Sequence, residues 1–468
     1  MTLLESYKNR LAISESVHQK SHNGAKMSAG KKLMIASVLD NTARFMNEAF
    51  DQGAATQRSV LGDFKRFCLN ISTVALPNLI LPELMLTQPM TSITGYVTYL
   101  RYAAGTTIGN VEKDTTFATP YSLGKMDADR AGYTKSGAAK IVENVTAGEE
   151  FAPAWTPVTG SVRFFVDGAW VAADDTATVP EGATKVAYEY DNNIVVPQNT
   201  AKIATLKAAM NGIALRAHAR RIAVYYSQIA AFQAKTDYGF DLGEQLATQA
   251  QGELAYEIDT EGVLMLVNGA ELDPEVCFDS FDTAYKTVGA THISRSQYYE
   301  QFSEVLAKAK KVIYQRTQKF APNFMICGAN ILTILPYLKG WSAAPTSVIN
   351  GPYFAGTVDG LKVFVSPAME ENDFVFGVNG SDLQTAAAVY APYMAIVPTQ
   401  LLGFADGGMS QGFSTMYDMK LLSTYNRSGA GTEDDPYVRT DIHTDSTKDG
   451  DTVEAGQFSW LLVKGTMR

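Results

Sequence analysis

The spacing of apolar and polar positions changes repeatedly along this chain, and each change predicts an element. Leu33, Ile35, Val38, Leu39, Phe45 and Phe50 form a loose helical stripe after a break at Ser28-Ala29-Gly30. Leu69 to Glu83 is an apolar run. From Gly95 the period falls to two: Tyr96, Thr98, Leu100 and Tyr102 oppose Val97, Tyr99 and Arg101, as in a half-exposed strand. Val162–Val166, Asp167-Gly168 and Ala169–Val171 predict a hairpin, because Asp-Gly accepts the positive φ of a tight turn. Val186, Tyr188 and Tyr190 alternate with Lys185, Ala187 and Glu189. Residues 144–193 therefore read as a β-rich insertion suited to surface contact. Residues 213–224 alternate too, placing Arg216, His218 and Arg220 on a polar face opposite Leu215, Ala217 and Ala219.

The longest predicted helix follows. Asp241 and Glu244 have capping-box spacing, Leu242, Leu246, Ala250, Leu254 and Ile258 recur every fourth residue, and Glu253, Glu257 and Glu261 line a neighbouring face. Asn268-Gly269 supplies a left-handed terminator. About 26 residues at ~1.5 Å each make a rod near 40 Å long, a structural spine. A second amphipathic helix spans 297–318 through Tyr298, Phe302, Val305, Leu306, Ala309, Val312 and Ile313. Its basic end (Lys308, Lys310, Lys311, Arg316, Lys319) complements the helix dipole. Strands are expected at Asn323–Gly328, Leu361–Val365, Asp373–Gly377, Ala387–Pro398, Phe413–Leu422 and Phe458–Lys464, with a short helix at Ala329–Leu338. The class is α+β with mixed strands. No regular βαβ alternation appears, which disfavours a doubly wound nucleotide-binding fold.

Composition narrows the function. At roughly 100–200 residues per domain, 468 residues predict about two to four domains or one elaborated fold. Only 19% of residues are charged, against 37 Gly, 23 Tyr and 22 Phe, so the surface suits contact with other proteins. The net charge of −10 lacks the basic footprint of a nucleic-acid reader. Residues 1–70 are nonetheless mildly basic, and 432–454 acidic. Cys68, Cys277 and Cys327 stand far apart, which argues against structural zinc or a disulfide framework. Glu5, Lys8 and Arg10 precede any apolar run, against a signal peptide. Pro77, Pro82, Glu83 and Pro89 interrupt the most apolar stretch before it reaches the ~20 residues of a membrane span.

Few motifs carry chemistry. Gly408-Met409-Ser410-Gln411-Gly412 matches the nucleophile elbow G-x-S-x-G, with Asp418, Asp435, Asp441 and His443 downstream in triad order. The flanking sequence argues against it: a strand, not a helix, follows, and a glycine-rich turn between strands is the simpler reading. Gly24 to Gly30-Lys31-Lys32 has the wrong glycine spacing for a P-loop and no Ser/Thr after the lysine. Asp445 to Asp451 lacks EF-hand spacing and reads as a solvated loop. His18, His22, His292 and His443 stand in no metal-binding pattern, and His218 reads as a strand residue. No catalytic, cofactor or metal residue is assigned.

Several blocks, in order, resemble the major capsid proteins of T-even-like tailed phages: Leu76-Pro77-Asn78-Leu79-Ile80, Gln88-Pro89-Met90, Thr94-Gly95, Asn323-Phe324-Met325-Ile326-Cys327, Asp373-Phe374-Val375-Phe376-Gly377, Tyr390-Ala391-Pro392-Tyr393, Gly412-Phe413-Ser414-Thr415 and Leu462-Val463-Lys464-Gly465. The resemblance covers about 70–468 apart from the insertion. It implies a Hong Kong 97-like phage capsid fold: an N-terminal arm (1–68), a peripheral domain in three parts (69–94, 200–269 with the spine helix, 400–468), an extended β loop (95–199, carrying 144–193) and an axial domain (270–399). Arm and loop would then lie over neighbouring subunits, having no local core of their own.

The implied function is a non-enzymatic, self-assembling icosahedral shell around double-stranded DNA, held without sequence-specific binding. The implied partners are copies of the chain in hexamers, with pentamers an open second form, and portal, vertex, scaffold or decoration proteins; no membrane or cofactor is implied. The implied location is the virion, after assembly in the bacterial host cytoplasm. Leu3-Leu4-Glu5 and Ile13-Ser14-Glu15 match the pattern after which family members lose the arm, but such tripeptides arise by chance and the arm is read as retained. An encapsulin-like non-viral shell is one alternative; a serine hydrolase using Ser410 is the other.

Overall fold

The computed structural model describes residues 3–21, 26–51, 79–106, 116–117, 138–151, 153, 157–166, 169–172, 178–191, 205–239, 241–288, 294–317, 320–344, 351–383, 385–399, 402–404, 407–422, 424–426 and 457–468. Two compact units divide the chain, Met1–Val97 with Gly212–Arg468, and Thr98–Asn211.

The chain opens with α1 (Leu3–Ser6), α2 (Lys8–Ser21), α3 (Ala29–Asp51), α4 (Leu81–Leu84), β1 (Leu86–Thr87) and β2 (Thr94–Ala104). Next come β3 (Thr116–Phe117), β4 (Ala138–Asn144), β5 (Arg163–Val166), β6 (Ala169–Ala172), β7 (Ala183–Asp191) and β8 (Leu206–Arg216). Then follow β9 (His218–Ser227), α5 (Gln228–Gln233), α6 (Leu242–Asn268), β10 (Glu271–Leu272), α7 (Phe281–Val288), α8 (Arg295–Glu300), α9 (Phe302–Thr317), β11 (Phe324–Cys327), α10 (Ala329–Leu332), β12 (Ser342–Ala343), β13 (Tyr353–Val358) and β14 (Leu361–Val365). The last elements are β15 (Asp373–Gly377), β16 (Ala388–Pro398), β17 (Leu402–Gly403), β18 (Gly408–Leu421), β19 (Thr424–Asn426), β20 (Gln457–Ser459) and β21 (Leu462–Thr466). Helices and mixed strands confirm the α+β class.

Two sheets organise the larger unit. The first is seven-stranded, in the order β10-β21-β15-β11-β14-β13-β12. Every residue of β11 and β15 is buried, as the apolar runs Phe324–Cys327 and Phe374–Phe376 require of strands covered on both faces, and Asp373 at the start of β15 pairs with Lys464. Helix α9 turns Phe302, Val305, Leu306, Ala309, Val312 and Ile313 inward, and Phe302 meets Phe374 edge-on at 5.4 Å. The basic end of α9 is also paired: Lys311 with Glu275, Lys310 with Asp359, and Arg316 with Glu271 and Asp273.

The second sheet runs β1-β16-β18-β17, with β9 also on β18. Two helices cover its central strand β16. From α6, Ala247, Ala250 and Leu254 pack with Ile396 and Phe413. From the N-terminal segment, Met34, Ile35, Val38, Leu39 and Met46 join the main core with Ala395 and Val397. Residues 98–211 have their own sheet, β4-β7-β5-β6, over a small core of Val162, Phe164, Val179, Val186 and Tyr188, against which Phe151 packs edge-on.

Several expectations change. The N-terminal helices do fold onto a local core, and the buried stripe of α3 differs from the one read in sequence: Leu33 and Phe45 are exposed, while Met34, Ala36 and Thr42 are buried. Phe50 lies outside the residues whose side chains are described. The 213–224 segment is two strands, and its alternation changes phase at buried Ala217, so His218 and Arg220 face inward while Ala219 and Arg221 are exposed. The 297–318 helix is split at Gln301, and its first piece starts from a true capping box, Ser294 with Gln297.

At the spine, Asp241 accepts the Gly243 N–H at 2.9 Å as a cap; the side chain of Glu244 lies outside the described residues. Gly269 does not adopt a left-handed conformation. Its N–H still bonds Met265, and a side chain there would strike Leu421, so glycine serves a close approach instead. Residues 408–412 are part of strand β18, not a turn. The terminal segment is two strands separated by Trp460-Leu461, and Ala329–Leu338 is a single helical turn followed by a 3-10 turn containing Pro336. The Asp167-Gly168 turn lies outside the described residues, although β5 and β6 pair in the register it predicts, Val166 with Ala169.

Candidate assembly surface

Among the described residues, Ser410 and Asp418 are both held within strand β18. Ser410 sits inside β18, opposite Leu402 on β17 and Tyr225 on β9, and is only 8% exposed. A nucleophile elbow needs a strand-to-helix turn that presents the serine; here the backbone continues as strand to Leu421. Asp418 is occupied as an acceptor of the Arg216 N–H at 2.8 Å, with burial raising its carboxyl above the usual range. Asp435, Asp441, His443, His22, His292, Cys68 and the Asp445–Asp451 stretch lie outside the described residues.

Among the described residues no three His, Cys, Asp or Glu side chains are grouped to hold a metal ion, and no helix is long and apolar enough to cross a membrane. Cys327 is buried in β11, where burial pushes its thiol up to about 12. Lys31 and Lys32 are not arranged as phosphate ligands: Lys31 is buried and Lys32 pairs with Glu15 at 2.9 Å.

The structure instead gathers apolar side chains at the β9–β18–β17 end of the second sheet. Tyr225, Ile229, Phe232, Tyr238, Leu402 and Phe404 are each more than half exposed. Local structure fixes the segments that carry them. Ser227 caps α5 by accepting the Ile229 N–H at 3.3 Å, and the Gln228 N–H bonds Gly407 O at 2.9 Å, tying α5 to the β17–β18 turn. That turn closes through Phe404 N–H to Gly408 O at 2.8 Å and needs glycine at Gly407, where φ is +78°.

Beneath the surface the sheet is braced against the spine. Arg220 pairs with Glu257 and Glu261, lies over the Tyr417 ring at 5.9 Å, and the Tyr417 hydroxyl donates to Glu261, so burial and this carboxylate together raise the phenol well above its ordinary range. Exposed apolar side chains grouped on this scale, roughly several hundred Å² together, are the mark of a protein-binding surface. In residues 98–211, strand β6 is a second such feature: an exposed edge strand bearing Trp170 and Val171.

This exposed apolar surface stands out among the described residues, and the comparisons with known proteins give it a context. Residues 61–446 match the family described as major capsid protein Gp23. The chain belongs to that family.

It is thus a major capsid protein of tailed phage, the subunit from which the shell is formed. It is 24% identical over 414 residues to the major capsid protein of Enterobacteria phage T4, covering 79% of this chain and 76% of the relative. Among solved structures it is similar to one from Mycobacterium phage Bobi (TM-score 0.36, 8% identity, 84% of this chain and 91% of that one) and to the capsid of Myoviridae phage XM1 (TM-score 0.31, 7% identity, 74% and 90%).

Sequence reading missed this exposed apolar surface of the capsid protein. Its signal was local: the Tyr225-Tyr226 pair, and Ile229 and Phe232 three apart in a short segment that otherwise carries only small or amide side chains.

Proposed function

We propose that copies of this chain associate through the β9–α5–β17 surface into hexamers, with pentamers a second form, and close an icosahedral shell around double-stranded DNA. The observation that carries this reading is the exposed cluster Tyr225, Ile229, Phe232, Leu402 and Phe404 on a major capsid protein. The net charge of −10 supports enclosure of DNA rather than tight binding to it. In this reading residues 1–68 are the arm, 95–199 the extended loop, 270–399 the axial domain and the remainder the peripheral domain of a Hong Kong 97-type subunit. Portal, vertex, scaffold or decoration proteins complete the particle, and assembly takes place in the bacterial host cytoplasm.

Replacing both Ile229 and Phe232 by Asp tests the surface. Both side chains are 71% exposed, so the monomer keeps its circular dichroism and melting temperature. Sedimentation then shows small species in place of capsomers and shells. Normal shells from the double variant would place the contact elsewhere.

A further inference from the structure

Strand β6 is an edge of the sheet β4-β7-β5-β6, and among the described residues β5 is its only strand neighbour. All four of its residues, Ala169-Trp170-Val171-Ala172, are exposed. Edge strands are ordinarily kept from pairing with other chains by a charged side chain, a proline, a bulge or a covering segment. Strand β6 has no charge and no proline, and its register with β5 runs unbroken from Arg163–Ala172 to Val166–Ala169. The opposite edge, β4, carries Lys140 and Glu143.

The hairpin register fixes which backbone groups point outward. Two residues separate Val166 from Ala169, so that pair closes the ladder with its own hydrogen bonds, and open and hydrogen-bonded pairs alternate from there. Phe165 and Trp170 are then an open pair, in which side chains stand closer, and their rings meet at 5.1 Å. The N–H and C=O of Trp170 therefore point away from β5, and those of Ala172 with them. Arg163 and Lys185, exposed on the Trp170 face, sit inward from the edge on β5 and β7. Twofold pairing sets equivalent residues near one another, so an edge charge would repel its own copy; β6 presents none.

We propose that β6 pairs antiparallel with β6 of a second copy about a twofold axis at Trp170, joining two four-stranded sheets into one continuous sheet. An axis perpendicular to the sheet keeps every side chain on its own face, so Trp170 opposes Trp170 of the partner subunit and Ala169 opposes Val171 of the partner subunit. The outward N–H and C=O of Trp170 exchange both hydrogen bonds with the same groups across the axis. Phe165 and Trp170 of each copy then form a row of four rings, a cross-strand aromatic contact of the kind that stabilises sheets. A second copy is the occupant because the chain is a capsid subunit, whose neighbours are copies of itself; the pairing rests on the self-assembly proposed above. An edge of four residues falls well below the ~1,000 Å² of a self-sufficient interface, so it acts where other contacts already hold copies close together.

Mild oxidation of the concentrated full chain carrying Trp170→Cys tests the pairing. The Cα atoms of a hydrogen-bonded antiparallel pair lie about 5.5 Å apart, within the ~4.4–6.8 Å that a disulfide spans. Disulfide-linked dimer on non-reducing gels should exceed that of the unsubstituted chain by about tenfold. Val171→Cys, one residue off the axis, sets its two copies beyond the ~7 Å limit and should stay at background. If Trp170→Cys fails to fold by circular dichroism, a mixture of Ala169→Cys and Val171→Cys chains decides, because those positions oppose each other and only the mixture should cross-link. Dimer at background in every folded variant overturns the proposal and leaves the edge to a strand of another protein; equal cross-linking at 170 and 171 overturns it too. Electron micrographs of the same samples separate this contact from the shell. Particles without the cross-link remove β6 pairing alone, and cross-linked dimers without particles keep the pairing and remove the shell.

Discussion

Asp259 shows how one residue couples the interior to pH. It is 6% exposed, caps the start of α4 through the Ile80 and Leu81 amides, and faces Lys31 from α3 and the phenol of Tyr390 from β16. Burial raises its carboxyl from 3.8 to about 7, against the pull of the two amides and of Lys31. Below about pH 4 it is protonated in folded and unfolded chain alike, and contributes no pH dependence. Between there and about 7 the folded carboxyl keeps a proton that the unfolded one has lost, so its contribution to stability falls as pH rises through this window. Asn at this position still accepts the two amide hydrogens and cannot ionise. Asp259→Asn should therefore flatten the decline of the urea midpoint between pH 4.5 and 7.5 and be the more stable protein at pH 7.5. Parallel pH profiles for the two proteins would show that Asp259 is not the group responsible. Nothing in the sequence marked this residue, because its burial depends on α3 and α4 arriving from far away in the chain.

At the scale of the element, the spine helix separates two uses of glycine. Gly252 is exposed and has nothing within 4 Å of where a side chain would go, whereas a side chain at Gly262 would collide with Leu81 on α4. Gly252→Ala should stabilise the protein by about 0.5–1 kcal/mol through helix propensity alone. Gly262→Ala should destabilise it by about 1–3 kcal/mol, since the packed helix must yield to a new methyl group. Thermal melts of the two single variants, moving in opposite directions, would establish that α4 is seated on the spine as described; matching shifts would deny it.

The helix itself was legible because a four-residue repeat from Leu242 to Ile258 can be satisfied locally. Strands β11 and β15 were legible for the same reason, as short apolar runs. The inward turn of Arg220 was not, since the phase change at Ala217 depends on how β9 meets β18. The true stripe of α3 was also missed, because Met34, Ala36 and Thr42 are buried where the helix packs on β16 and α1, a contact that local periodicity does not show.

For the whole molecule, the low charge and abundant Tyr, Phe and Gly pointed to a chain whose partners are proteins, and ordered sequence blocks pointed to phage capsid proteins. Family membership bears that out. The exposed apolar surface was legible only in part, because Leu402 and Phe404 are brought to the same end of the sheet as Tyr225 and Ile229 by the pairing of β17, β18 and β9. The serine in G-x-S-x-G illustrates the converse: a motif legible in sequence is placed by the fold near the start of strand β18, with Ser410 paired between Leu402 and Tyr225 and not on a strand-to-helix turn. Electron microscopy of the purified full chain, concentrated well above micromolar, is the most direct test of the shell. Closed icosahedral particles or hexameric capsomers are the predicted result; a population that stays monomeric at every concentration would contradict self-assembly through this chain alone.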